Sequence, residues 1–109
     1  MLLFSMMVFS LAVQAQQKSK NAKHSFEVNG NCDQCKKRIE KAAYTVSGVK
    51  MAVWSIETRQ LNVILNEEKS SVTDVKKAIA KIGHDTDEAK STDDDYTNLH
   101  HGCQYERKP

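Results

Sequence analysis

The apolar positions along the chain change period several times, and each change marks an element. Phe26 and Val28 alternate with polar Ser25 and Glu27, the two-residue period of a strand. Asn29-Gly30-Asn31 then reads as a turn. Beyond it the period becomes three and four. Cys35, Ile39, Ala42, Ala43 and Val46 share one helical face, with Asp33 as the expected cap and Gly48 as the expected stop. Val49 to Glu57 returns to strand, with Ala52, Trp54 and Ile56 on one face and Met51 and Val53 on the other. Thr58-Arg59-Gln60 is the expected hairpin turn, although it lacks an Asn-Gly or Asp-Gly pair. Leu61, Val63 and Leu65 make a third strand. A second helix starts at Ser70 or Ser71, where Asp74 stands at capping-box spacing from Ser71. Its apolar stripe is Val72, Val75, Ile79 and Ile82, and Gly83 ends it. A short fourth strand is expected around His84 to Glu88.

This order predicts an α+β fold: a ferredoxin-like βαββαβ sandwich, an antiparallel sheet with two helices on one face. The remaining Lys90 to Pro109 form a tail, in which Asp93 is expected to cap one short helix carrying Tyr96 and Leu99 back toward the domain. At the other end, Met1 to Ala15 are uncharged and almost wholly apolar. That run is too short to span a membrane as a helix. It ends in Val13-Gln14-Ala15, a small-residue cleavage pattern, and polar Gln16-Gln17-Lys18 follows abruptly. No basic residue precedes the run; the alternatives to a signal peptide are a buried helix or an uncleaved anchor. The expected organisation is therefore 1–15 signal peptide, 16–22 flexible lead-in, 23–89 domain and 90–109 a His- and Cys-containing tail. A periplasmic or secreted location follows from it. Three of the four methionines leave with the signal, which excludes a methionine-rich copper site from the mature chain.

The 109 residues suit one domain. A formal net charge of +2 gives no strong field for nucleic acid, nor for a membrane once the signal is removed. No Ser/His/Asp set, paired carboxylates or phosphate loop is present to suggest an enzyme. Three cysteines are too few for a disulfide framework, and their odd number needs a reason.

The chemistry concentrates in Cys32-Asp33-Gln34-Cys35, between the first strand and the first helix. A separation of three lets two sulfurs converge on one atom. The helix start, with Lys36 and Lys37 beside it, favours thiolates. Two soft thiolates in an exposed turn suit Cu(I). A structural zinc site wants four ligands, and a second Cys-x-x-Cys is absent. Two other uses of the pair stay open. One is thiol–disulfide redox chemistry, against which stands the absence of any proline except Pro109. The other is a structural disulfide in an exported interaction domain. In the tail, His100, His101 and Cys103 are candidates for an auxiliary site, in which Cys103 and one histidine join Cys32 and Cys35. Cys103 is equally a candidate to link two chains, so monomer and metal- or disulfide-linked dimer both remain.

The runs FEVNGNCDQCKKRIEKAAYTVSGV, AVWSIETRQLNVIL and VTDVKKAIAKIGHDTD resemble the heavy-metal-associated domain. That family comprises small copper chaperones, metal-binding domains of copper-transporting ATPases, and periplasmic mercury-binding proteins. The resemblance spans Lys23 to Glu88. It implies the same βαββαβ fold, Cys32 and Cys35 as metal ligands, and Cu(I) as the first candidate ion, with Hg(II), Zn(II) and Cd(II) as alternatives. It also implies a metal-transporting ATPase or another metal-binding protein as partner. Two positions depart from the family pattern. Gly30 stands where the family usually has a methionine that anchors the loop, so a looser loop is expected. His84 stands where an aromatic residue or lysine is usual, near the cysteine turn, and is a candidate third ligand or supporting donor. Lys36, Lys37, Arg38 and Lys41 make either a solvated helix face or a basic docking face for an acidic partner.

Overall fold

The computed structural model describes residues 18–99 and 101–108. The expected signal peptide and His100 lie outside the described residues. Three antiparallel strands, β1 (Ala22–Glu27), β2 (Val49–Trp54) and β3 (Gln60–Leu65), form one sheet in the order β1-β3-β2. The register pairs Phe26 with Leu61, and Trp54 with Leu61 from the other side; a bulge interrupts β2 between Val49 and Met51. Two helices, α1 (Asp33–Tyr44) and α2 (Val72–Lys81), cover one face. A third helix, α3 (Asp93–Thr97), and a single 3-10 turn, His101–Cys103, belong to the tail. No helix of the described residues is long and apolar enough to cross a membrane.

The two-residue period decides which side of the sheet is covered. Leu61, Val63 and Leu65 of β3 are buried, as are Ala52 and Trp54 of β2, while Met51 and Val53 face outward. Against them pack Cys35, Ile39, Ala42 and Ala43 of α1 and Val75 and Ile79 of α2. Fully burying one such large side chain is worth about 1.5–3 kcal/mol. Ser71 caps α2 with a complete capping box to Asp74. Gly83 follows with φ +103°, the left-handed backbone that a helix stop favours.

Five local expectations need correction. The fourth strand is reduced to one bridge, Val28 to Thr86. Thr86 turns the chain back at once, because its Oγ1 and N–H both engage Ala89, and a ladder cannot continue. Strand β2 stops at Trp54, so Ile56 lies in the hairpin and is exposed; Arg59 supplies the left-handed residue there (φ 59°) that an Asn-Gly pair would have supplied. Helix α1 ends at Tyr44, so Val46 packs on the core from beyond the helix and Gly48 lies in the following turn. The cap of α1 is Cys32, not Asp33, and the cap of α3 is Thr92, not Asp93. In both cases the acidic residue is the first helical position, where its charge still complements the helix dipole.

Candidate metal centre

Capping places the first sulfur. Cys32 has extended backbone (φ −151°, ψ 170°), and its Sγ accepts the N–H of Cys35 at 3.3 Å. Its sulfur is therefore held at the positive end of α1. Cys35 is on the buried face of the same first turn, with its Sγ 3.1 Å from that of Cys32 and its S–H directed to Asn31 Oδ1 at 3.3 Å. Cys103 arrives from the far end of the chain. Its Sγ lies 2.9 Å from Cys32 Sγ, and its carbonyl oxygen 3.8 Å from Cys35 Sγ. All three Sγ atoms fall within 4.8 Å of one another, and all three cysteines are free. Cys35 and Cys103 are fully buried; Cys32 is partly exposed. The cluster thus meets solvent through one sulfur.

The tail that brings Cys103 is fastened at several points. The Tyr105 hydroxyl donates to the Gly83 carbonyl and accepts the Asp85 N–H, each at 2.8 Å. Its ring stacks on His84 with centroids 5.6 Å apart, and Tyr96 meets it edge-on at 5.1 Å. Arg107 forks onto Asp85 through Nε at 2.9 Å and Nη2 at 3.0 Å, and donates to the Ser91 carbonyl. Its third nitrogen reaches Asp93 at 2.9 Å. Asn31, next to Cys32, donates through Nδ2 to the Gln104 carbonyl at 3.4 Å. Sequence reasoning did not find Asp85, Tyr105 or Arg107. Asp85 lies 20 residues from Tyr105 and 22 from Arg107, with no spacing rule to announce the contacts. The only signal was the run of Tyr96, Leu99, Cys103 and Tyr105 in an otherwise polar tail; Leu99, Cys103 and Tyr105 are buried.

The histidines are placed differently. His84 is fully buried, with Nδ1 2.7 Å from the Asn29 carbonyl and Nε2 without a partner. It supports the strand leading into the cysteine loop; among the described residues it is not one of the converging group. His101 is exposed and also stands outside that group. Of the basic residues, Lys36 is occupied by Glu40 at 2.6 Å and the Trp54 carbonyl at 2.9 Å, whereas Lys37 and Lys41 are exposed.

The space beneath the loop is filled despite Gly30. A Cβ at Gly30 would lie 3.1 Å from Cys35 Cβ and from two atoms of the Trp54 ring. The indole takes the room an anchoring side chain would occupy, and its Nε1 donates to the Val28 carbonyl at 3.0 Å. Beside Gly30 the packing comes from Trp54 of β2 instead of from a side chain of the loop itself.

The electrostatics favour one thiolate among three sulfurs. Burial alone raises the Cys32 pKa, but hydrogen bonds from Cys103, Cys35 and the backbone N–H groups outweigh it and hold it below its ordinary value. Burial pushes Cys35 up, and pushes Cys103 up to about 12 with the neighbouring sulfurs adding to it. Cys32 is then the most acidic of the three sulfurs. Beyond the sulfurs, burial lowers His84, against the hydrogen bond to Asn29, from its ordinary 6.5. Asp85 is raised by burial, but the hydrogen bonds from Arg107 and Ser91 win and hold it below 3.8.

These two shifts give stability the same sign. Below 6.5 the unfolded chain takes a proton at His84 that the folded chain resists. Below 3.8 it takes one at Asp85 before the folded carboxylate does. The contribution of these two groups is full above 6.5 and falls in two stages on acidification. The thermal midpoint of the metal-free, reduced protein should drop in that order. A midpoint that rises as the pH falls just below 6.5 would contradict the buried neutral imidazole.

Residues 25–85 match the heavy-metal-associated domain family. Cys103 lies outside that stretch. Among solved structures, the CopZ metallochaperone shares 30% identity, covering 60% of this chain and 98% of its own, with a TM-score of 0.58. The N-terminal domain of a potential copper-translocating P-type ATPase from Bacillus subtilis, solved in its Cu(I)-loaded state, shares 31% over 61% of this chain and 84% of its own, again at 0.58. Oxidized MerP from Ralstonia metallidurans CH34 shares 29% over 60% and 94%, at 0.52. No curated protein matches the chain.

Proposed function

The chain belongs to the heavy-metal-associated domain family, and on that footing we propose that it binds a soft metal ion through Cys32 and Cys35 and carries, buffers or sequesters it. The observation that carries the reading is the thiol pair, 3.1 Å apart at the N-terminus of α1, within the stretch that matches the family. Cu(I) is the first candidate. It is soft and accepts low coordination by thiolates, and two of the similar structures are a metallochaperone and a Cu(I)-loaded ATPase domain. Hg(II), Cd(II) and Zn(II) compete for the same donors.

Binding needs deprotonated sulfur, so uptake releases protons. Cys32, the most acidic of the three sulfurs and the one partly exposed, is the sulfur that a partner's ligand reaches first. A metal-transporting ATPase or another metal-binding domain is the partner class in this reading, with exposed Lys37 and Lys41 beside the thiols to meet an acidic surface. Export to the periplasm or the exterior rests on the sequence of residues 1–15. No substrate turnover forms part of the proposal.

Titration of the reduced protein with Cu(I) against a chromophoric chelator, without oxygen, tests it. One equivalent should bind, and Cys32→Ser or Cys35→Ser should each weaken binding by about a hundredfold or more, beyond what loss of a supporting residue costs. Binding that survives both substitutions together overturns the assignment. Catalysed reduction of insulin by the metal-free protein would favour the thiol–disulfide use of the same pair.

A further inference from the structure

We infer that Cys103 is a third metal ligand, delivered by a C-terminal arm, and that the centre is a trigonal thiolate site built to hold its ion. The inference rests on Cys32 and Cys35 being ligands, as proposed above.

The geometry supplies the donors. Metal–thiolate bonds near 2.3 Å set three sulfurs around one ion about 4 Å apart. The three Sγ atoms here lie within 4.8 Å of one another, so small rotations about Cα–Cβ bring them to that spacing. Cys103 is not simply a buried small side chain filling an apolar gap. Its sulfur faces Cys32 Sγ at 2.9 Å and Gln34 Oε1 at 3.7 Å, at the open end of the core.

The arm is built for that placement. Tyr105, two residues on, locks onto the Gly83 carbonyl and the Asp85 N–H, and Arg107 forks onto Asp85. Gln104 closes the preceding turn by donating to the Leu99 carbonyl at 3.3 Å. Gly83 admits the arm because it has no side chain: a Cβ there would stand 2.8 Å from the Asp95 carbonyl and 2.9 Å from Leu99 Cγ. All of this lies in or against residues beyond the family match. The arm therefore adds a donor to a two-thiol domain.

The consequence is retention. With two sulfurs buried and one partly exposed, an ion bound by all three is open to exchange only past Cys32. Release to a competitor requires Cys103 to leave, and hence the arm to loosen. Three soft donors favour Cu(I) and Hg(II), and disfavour an ion that demands four ligands.

Copper K-edge X-ray absorption on the Cu(I)-loaded protein counts the thiolates. Three are expected in the unchanged protein and two in Cys103→Ser, with affinity for Cu(I) lower by at least about tenfold and faster transfer to a chelator. Arg107→Ala removes no sulfur and tests the arm itself; it should speed transfer while leaving the thermal melt cooperative. If the unchanged protein and Cys103→Ser both show two thiolates and equal affinity, the third ligand is overturned while the two-thiol reading stands. If the unchanged protein takes up no Cu(I), both fall.

Discussion

Trp54→Ala is expected to destabilise the protein by about 3–5 kcal/mol, the cost of an emptied aromatic site in a core that cannot fully collapse. Against a total of about 5–15 kcal/mol for a domain, that loss leaves a marginal fold. Two connections make the Trp54 side chain so costly to remove. Its ring is 1% exposed and lies against Gly30 and Cys35. Its Nε1 satisfies the Val28 carbonyl, which the truncation would leave buried and unpaired. The bonds from its backbone to α1, N–H to Glu40 and carbonyl from Lys36, are kept in the alanine variant and add nothing to the loss. Trp54→Phe keeps most of the apolar area but not the indole donor, and should fall between the two. Denaturant unfolding of the reduced, metal-free protein measures each. A loss below about 1 kcal/mol for the alanine variant would show that the loop has another anchor.

Asp85→Ala is the second. It should cost about 3–5 kcal/mol, the range for removing one partner of a buried ion pair. The Asp85 side chain is 3% exposed and accepts from Arg107 twice and from the Ser91 N–H at 2.7 Å. Without it, Ser91 loses its acceptor and Arg107 keeps only the exposed carboxylate of Asp93 and the Ser91 carbonyl. The loss should be local before it is global. Amide exchange at the described tail residues should accelerate more than in β3, whose backbone pairs on both sides within the sheet. Asp85→Asn keeps an acceptor for Ser91 and should cost less. Equal exchange rates in the tail of Asp85→Ala and the unchanged protein would mean that Tyr105 and the apolar contacts hold the tail alone.

Much of the domain was legible because its signals are local. The alternation through Leu61, Val63 and Leu65, the stripe from Cys35 to Ala43, and the Ser71–Asp74 capping box each act within a few residues, and each formed as read. The errors were also local in kind. Ile56 continues the alternation of β2 in sequence, but the hairpin starts before it, and no side-chain period marks where a ladder ends. The fourth strand had suitable residues, yet Thr86 bonded to Ala89 instead of to a neighbouring strand.

The sequence by itself determined the order of strands and helices, except that the structure reduces the last strand to a bridge, and the two thiols at the start of α1. A period, a cap and a spacing of three are short-range rules. It also raised the question of the odd cysteine without being able to answer it. Only the tertiary structure decided that Trp54 underpins the loop at Gly30, that His84 is buried against Asn29 and Tyr105, and that Cys103 meets Cys32. Those are contacts between residues that are 24, 55, 21 and 71 positions apart in the chain. They are made by the shape of a packed core and by a forked ion pair, neither of which leaves a mark on the residues between.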